Sequence, residues 1–526
     1  MRILLVAVNA KYSHTNLAVR YLRNELRAAG FDAEIGEYTI NQQPREILAD
    51  IVARAPDKLF FSCYLWNIRM IRQVGADFRL LFPDTPIVLG GPEVSFDPQT
   101  QLTAMPWADA VICGEGEPLV ARVAGEKRPR GIYRGTGFAD LDALPFPYTD
   151  LAALQNRVLY YESSRGCPFG CSYCLSSADR TPRFRSLELV YRDLQRFLDA
   201  KVMQVKFVDR TFNLDARRAL AIWRYLAEHD NGVTSFQMEL GGDLTTGEQL
   251  AFLQAVRPGL FQFEIGVQST CEQALQKICR ATDLVKLREN VAAVKAAGNI
   301  HQHLDLIAGL PLETFQRFGQ SYDEVFSMRP QQLQLGFLKL LRGSSLYEKR
   351  TEYGIIHSAE PPYEVLCTPQ LSFPELARLK TVEEMTETYY NSGRFSHALD
   401  YLLEYSVSPF WTLLALGEGM PARAVGKYEY YERLLDFAVR QGCDREIMGW
   451  LMKYDLCLHE RPRRLPKGCP MGEPSRPAQY GLPPAAHVET FPFDVTCPSR
   501  PSIRTVLVFD YAKRDLFGRA AVKKLE

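Results

Sequence analysis

Ser164-Arg165-Gly166-Cys167-Pro168-Phe169-Gly170-Cys171-Ser172-Tyr173-Cys174 packs three cysteines into eight residues at the spacing CxxxCxxC. It follows an apolar run over 158–163 that reads as a strand, so three thiols sit on one short loop at a strand end. A four-iron cluster normally takes four protein thiolates. Three leave one iron open to an exogenous ligand, which turns an electron carrier into a reagent. Gly166 and Gly170 allow the loop to wrap such a group. Zinc is the rival occupant, held by three cysteines and a distant ligand. Zinc sites built on CxxC usually use a second such pair, however, and Cys171 and Cys174 have no counterpart pair.

Outward from this loop the chain alternates apolar runs with helical periodicity. Strands are expected over 158–163, 204–208, 235–240, 261–267, 302–307 and 332–340. Helices are expected around 186–200, 214–229, 246–256, 282–297 and 314–328. Six βα units make an incomplete barrel rather than a closed eightfold one, leaving one side free for a large substrate or another domain. Upstream, residues 1–125 repeat the alternation, with strands over 3–8, 33–38, 58–63, 87–89 and 110–113 and helices over 17–29, 44–53 and 68–81. Such runs describe an open parallel sheet covered on both faces, which takes ligands at the carboxyl ends of its strands. Residues 126–155, rich in Gly and Pro, read as a linker.

After residue 342 the pattern turns mainly helical, over 374–391, 396–405, 428–441 and 444–458. The aromatics there (among them Tyr389, Tyr401, Tyr431 and Trp450) are best read as core. A Pro-rich, basic loop over 460–486 and one late strand over 506–509 complete the chain. The expected fold is therefore α/β: a Rossmann-like parallel sheet (1–125), a linker (126–155), a partial (β/α)6 barrel (156–342) and a mainly helical extension (343–526).

Composition excludes several classes. At 526 residues the chain predicts roughly three domains at about 150 residues each. The hydrophobic share of 46% and charged share of 24% are those of a globular protein. Lys+Arg and Asp+Glu both number 62, so no net charge draws the chain to nucleic acid or an anionic membrane. The run Arg461, Arg463, Arg464 and Lys467 reads as a solvated loop. No stretch approaches the ~20 apolar residues that span a bilayer. Residues 3–8 read as a buried strand rather than a signal-peptide core, because Asn9, Lys11, Tyr12, Ser13 and His14 follow with no small-residue cleavage site. Three of twelve cysteines lie in one cluster and the rest are scattered, which points to metal before disulfide and to a reducing cytoplasm.

With Tyr173 as the aromatic of CxxxCx(aromatic)C, the chain resembles the radical S-adenosylmethionine (SAM) superfamily. Val208-Asp209-Arg210-Thr211-Phe212-Asn213, Glu239, Gly266-Val267-Gln268-Ser269, Arg280 and Asp305-Leu306-Ile307-Ala308-Gly309 follow at strand ends, in a spacing similar to the branch of oxygen-independent coproporphyrinogen oxidases and tRNA-modifying relatives. The resemblance implies a 4Fe-4S cluster on Cys167, Cys171 and Cys174, and SAM held by Tyr173, Asp209, Glu239, Gln268, Arg280 and Asp305. One departure is that the methionine-binding segment reads Val-Asp-Arg-Thr-Phe rather than Gly-Gly-Glu.

Gly90-Gly91-Pro92 and Gly114-Glu115-Gly116-Glu117 resemble the cobalamin-binding domain found upstream of many radical SAM cores. That resemblance implies cobalamin contacts from Asn9, Ser13, Ser62, Tyr64, Trp66, Gly90, Gly91, Glu93, Gly114 and Gly116. The DxHxxG motif that supplies a cobalt-ligating histidine is absent, since His14 has no Asp two positions before it. Cobalamin is therefore expected base-off and without a histidine ligand, its lower face empty or covered by Tyr64, Trp66 or Asn67. Beyond about residue 340 the chain resembles helical extensions attached to some cobalamin-dependent members.

Together these imply a cytoplasmic, cobalamin-dependent radical SAM enzyme. It would cleave SAM reductively to a 5′-deoxyadenosyl radical and methylate an unactivated carbon. Two other readings are a cyclase or rearrangement enzyme without methyl transfer, and a non-catalytic cobalamin or iron–sulfur sensor. The expected partners are a small-molecule or peptide substrate and an electron donor such as flavodoxin or ferredoxin, with neither membrane nor nucleic acid. No single catalytic side chain stands out.

Overall fold

The computed structural model describes residues 1–137, 140–421, 423–472, 477–515 and 518–525. Phe138 and Ala139 of the expected linker and 473–476 of the Pro-rich stretch lie outside the described residues.

The first sheet contains β1 (Arg2–Asn9), β2 (Asp32–Thr39), β3 (Lys58–Ser62), β4 (Ile87–Gly90), β5 (Ala110–Cys113) and β6 (Gly131–Arg134). All pair in parallel, in the order β2-β1-β3-β4-β5-β6. Helices on both faces explain why β1 is apolar from Ile3 to Val8: Leu4, Val6 and Val8 pack to one side, Ile3, Leu5 and Ala7 to the other. Asn16 caps the first helix, Leu17–Ala28, accepting from Val19 N at 3.2 Å. The strand order reverses between β1 and β3, which opens a crevice at their carboxyl ends. The segment expected to be linker corrects that expectation, because Gly131–Arg134 pairs with β5 and completes the sheet. Sequence missed it because four residues are too few to show a period.

The second sheet is the expected six-stranded open barrel. β7 (Val158–Tyr161) enters it and is followed by the cysteine loop, itself braced by the short pair β8 (Ser164–Arg165) and β9 (Arg183–Phe184). Then come β10 (Gln204–Phe207), β11 (Ser235–Leu240), β12 (Phe261–Gln268), β13 (His301–Ala308) and β14 (Gln332–Phe337), all parallel in the order β14-β13-β12-β11-β10-β7.

An open barrel leaves two unpaired edges, a liability that folds cover. The edge of β7 is met by the first turn of the N-terminal sheet: Val158 N donates to Ser13 O at 2.7 Å and Thr15 N donates to Val158 O at 3.3 Å. At the other edge the Asn391 side chain imitates a strand. Its Oδ1 accepts from Leu333 N and its Nδ2 donates to Leu333 O, both at 2.9 Å. Asn391 ends a π-helical turn, Thr386–Asn391, that continues the helix Phe373–Met385.

The C-terminal helices share one core with the barrel. Tyr389, Tyr401, Tyr431 and Trp450 are buried in it, so they are packing rather than a lid. The late strand is part of a larger element: β15 (Ile356–His357) and β16 (Val365–Cys367) form a small pair, and β17 (His487–Phe491), β18 (Thr505–Arg514) and β19 (Ala520–Lys524) form an antiparallel sheet. Among the described residues no helix is long and apolar enough to cross a membrane.

Candidate functional site

The cysteine loop is held from three sides. Cys167 N donates to Asp179 O at 2.9 Å, Ser172 N donates to Ile278 O at 2.8 Å, and Leu346 N donates to Ser172 O at 2.8 Å. Gly166 has φ +87°, and a Cβ there would lie 2.5 Å from Thr181 O, so glycine is required for the turn. Cys167, Cys171 and Cys174 face one cavity with Tyr173, Arg210, Thr211, Glu239, Glu264, Gln268, Arg280 and Asp305. Arg280 is the cation nearest the thiols. Its Nη1 lies 3.7 Å from Cys171 Sγ and 3.4 Å from Tyr173 Oη, and its Nη2 donates to Gly266 O. Burial pushes the Cys171 thiol up while Arg280 pulls it down, so the site favours thiolate once a cationic group is bound.

Strand periodicity places the polar side chains. In β12 and β13 the buried residues alternate with half-buried ones, so Gln262, Glu264, Gly266 and Gln268 share a face, as do His301, His303 and Asp305. Gln268 has φ +71°, an unusual conformation for a residue with a side chain, beside an irregularity in the β12–β13 register. Burial raises Glu239 to about 7, with Arg210 and Lys206 opposing the rise and Glu264 and Asp305 adding to it. Burial also raises Asp305, against the pull of His303, whose Nε2 lies 3.0 Å from Asp305 Oδ1. Glu264 accepts from Lys206 Nζ at 2.9 Å and Gln237 Nε2 at 3.0 Å.

Asp209 requires correction. Its carboxylate is buried and accepts from Ser163 N at 2.9 Å, Ser163 Oγ at 2.8 Å and Ser164 Oγ at 2.5 Å. It anchors the chain entering the cysteine loop and does not face the cavity. Its neighbours Arg210 and Thr211 do. Glu264 and its partner Lys206, and His303 beside Asp305, were also missed, although the alternation in Gln204-Val205-Lys206 and Gln262-Phe263-Glu264 was a signal that could have found the first two.

A second cleft opens at the crevice of the first sheet, between its strand ends and the helix Leu17–Ala28. Ser62, Tyr64, Gly90, Gly91, Gly114 and Gly116 line it, with Leu5, Ala18, Leu22, Phe60 and Ile112 as an apolar wall. It encloses about 1070 Å³ including its open mouth. A Cβ on Gly114 would meet nothing within 4 Å, whereas one on Gly91 would strike Cys63 O at 2.5 Å. Gly114 thus leaves open space, while Gly91 serves the close approach of two backbone segments.

Between this cleft and the barrel lies a third space lined by Asn9, His14, Tyr64 and Trp66 from one side and Tyr160, Glu162 and Arg210 from the other. Tyr64 and Trp66 stack with centroids 4.4 Å apart. Asn67 is buried and committed to its own turn, donating to Val8 O and Ser62 O and accepting from Tyr64 N. His14 Nδ1 lies 2.6 Å from Tyr160 Oη. Two residues expected at cobalamin are used elsewhere. Ser13 joins the sheet to β7 as described, and Glu93 accepts from the Tyr363 hydroxyl and lies 3.9 Å from Arg342 Nη1. Both link domains.

Comparison with known proteins accords with this geometry. A family model described as B12 binding domain matches residues 3–124, and one described as Radical SAM superfamily matches 161–325. A third, described as a protein of unknown function (DUF4080), matches 351–479. The cobalamin-dependent radical SAM methyltransferase TokK of Streptomyces tokunonensis is 24% identical over 457 residues, 79% of this chain and 66% of that one. Against this and two further methyltransferases the match spans 66%, 55% and 47% of the relatives' lengths. Among solved structures, the methyltransferase TsrM of Kitasatospora setae, with cobalamin and a 4Fe-4S cluster bound, superposes with TM-score 0.56 at 15% identity, over 68% of this chain and 76% of that one. The cobalamin-dependent SAM radical enzyme OxsB, with aqua-cobalamin and SAM bound, gives 0.51 at 16%, over 88% and 73%. At such identities these likenesses establish the fold.

Proposed function

Since residues 3–124 match a B12 binding domain and 161–325 the radical SAM superfamily, we propose that the chain is a cobalamin-dependent radical SAM methyltransferase acting on an unactivated carbon. One observation carries this reading: Arg210 lines both the cysteine cavity and the chamber beside Tyr64 and Trp66, which places the cysteine cavity next to the amino-terminal sheet's ligand-binding edge.

The residues present fit both groups. Three thiols beside the Arg280 guanidinium, whose buried Nε has no protein partner, suit a cluster with one open iron and an anionic ligand end. The apolar slot floored by Gly90, Gly114 and Gly116 suits the flat, greasy tail of base-off cobalamin. When bound, the cluster supplies the electron that cleaves SAM to a 5′-deoxyadenosyl radical, and methylcobalamin supplies the methyl group.

This chain's residues bind and orient. Arg280 takes the SAM carboxylate, Glu239 and Asp305 its ammonium and ribose hydroxyls, Gln268 its remaining polar edge, and Tyr173 packs beside the cluster. Tyr64 and Trp66, stacked on each other, would offer an aromatic surface to the corrin. Arg210 and Glu162 face the chamber where a small-molecule or peptide substrate would lie.

The test is anaerobic reconstitution with iron, sulfide and hydroxocobalamin, then reaction with SAM and a low-potential reductant such as dithionite, which supplies the electron for cleavage and reduces cobalt to the methyl-accepting state, followed by assay for 5′-deoxyadenosine and S-adenosylhomocysteine. Both products are expected, together with loss of both in Cys167→Ala, Cys171→Ala and Cys174→Ala. 5′-Deoxyadenosine alone would favour a cyclase or rearrangement enzyme. Cluster and cobalamin retained with neither product would overturn the proposal.

A further inference from the structure

The C-terminal region gathers donors that neither cofactor uses. Cys457 lies in the helix Arg445–His459, while His487 and Glu489 stand two apart on β17 and so leave the same face. One donor atom from each, Cys457 Sγ, a His487 ring nitrogen and a Glu489 carboxylate oxygen, lies within 4.8 Å of the other two.

Proton positions sharpen the point. His487 Nδ1 is 2.7 Å from Tyr511 Oη, and that hydroxyl is also 2.8 Å from the main-chain oxygens of Cys457 and Glu460. Carbonyl oxygens only accept and the hydroxyl has one proton, so the arrangement that satisfies most groups sends that proton to a carbonyl and has Nδ1–H donate to Tyr511. A neutral His487 then presents a bare lone pair on Nε2, and Nε2 faces Glu489 Oε1 at 3.0 Å. Two acceptors in contact repel unless something cationic lies at the contact, either a proton on Nε2 or a metal ion. Lys453 does not fill this role. Its Nζ donates to Met471 O at 2.9 Å and pairs with the other carboxylate oxygen, Oε2, at 2.7 Å.

We propose that Cys457, His487 and Glu489 bind one zinc ion, separate from the iron–sulfur cluster and independent of the reading above. A thiolate, an imidazole and a carboxylate form a donor set typical of zinc, with a fourth position open to water. Binding releases the Cys457 thiol proton to solvent, and the thiolate and carboxylate charges balance the dication. Tyr511 fixes the tautomer that leaves Nε2 free for the metal. The ion would staple the three-stranded sheet to the helix and close the intervening chain.

The test uses the full-length chain with Cys167, Cys171 and Cys174 all changed to Ala, so that cluster thiols take no zinc. After equilibration with Zn²⁺ and a weak chelator, elemental analysis is expected to find about one zinc per chain, as a single such site holds. His487→Gln and Cys457→Ser should each cut that zinc at least about tenfold, a loss of ~1.4 kcal/mol, while Cys497→Ala leaves it unchanged. Zinc X-ray absorption of the unvaried site should show one sulfur among nitrogen and oxygen neighbours, a readout that does not depend on any variant folding. No retained zinc would place a proton on Nε2 and overturn the proposal. Zinc without a sulfur neighbour, or with several, would overturn it as well.

Discussion

Arg165, two residues before the first cluster cysteine, places Nη2 2.6 Å from Glu117 Oε1 in the last glycine-rich turn of the N-terminal sheet. The same guanidinium pairs with Glu162 at 2.6 Å and approaches Glu115 at 3.5 Å, and Arg183 reaches Glu115 at 2.7 Å. The loop that presents the cysteines is thereby tied to the turn that borders the proposed cobalamin slot. The arrangement sets the spacing between the two sites.

Breaking this tie should be costly. Arg165 and Glu117 are 14% and 8% exposed, and removing one partner of a buried pair costs about 3–5 kcal/mol because it strands the other charge. Arg165→Met should lose stability on that scale in denaturant unfolding, and adding Glu117→Gln should restore part of it. Strictly additive losses in the double variant would show that the two residues are not coupled.

The proposed SAM contacts separate from the buried anchor. Gln268→Ala, Glu239→Gln, Asp305→Asn and Arg280→Ala should each weaken SAM binding by ~1–3 kcal/mol, the cost of an unpaired polar group, with the cluster spectrum intact. Asp209→Asn should instead lower folding stability and leave SAM affinity nearly unchanged, since its carboxylate serves Ser163 and Ser164. Calorimetric titration distinguishes the two classes. Unaltered affinity in all four cavity variants would remove the SAM assignment.

As a proposed SAM contact, Glu239 should give SAM binding and stability opposite slopes against pH. Its ordinary value of 4.5 is raised to about 7 by burial. Between those values the folded chain keeps a proton that the unfolded chain has lost, so stability falls as pH rises through this window. An ammonium, in contrast, needs the carboxylate, so SAM affinity should rise as pH passes 7. Both slopes should flatten in Glu239→Gln, measured by unfolding and by titration at matched pH.

For cobalt, the absence of DxHxxG motivates the prediction of a base-off corrin with no axial nitrogen. His14 lines the space beside Tyr64, with its Nδ1 2.6 Å from Tyr160 Oη, so it is the histidine to test. Electron paramagnetic resonance of the cobalt(II) form should therefore lack triplet splitting on the cobalt lines. Triplets that disappear in His14→Ala would make His14 the ligand.

The cysteine spacing, the apolar β runs and the period-two polar strands are local patterns, and sequence alone was enough to read from them a parallel sheet, a six-stranded open barrel and the loop that carries Cys167, Cys171 and Cys174. A strand or a helix is set by residues a few positions apart, so its signature survives in one dimension. What Asp209, Ser13 and Glu93 do was decided only by the tertiary structure, because each is bound by partners distant in sequence: Ser163, Val158 and Tyr363. The same holds for Asn391 closing the edge of β14, for Arg165 meeting Glu117, and for Cys457 meeting His487 across 30 residues. A buried polar group takes whichever partner the fold brings to it, and no period in the sequence records that choice.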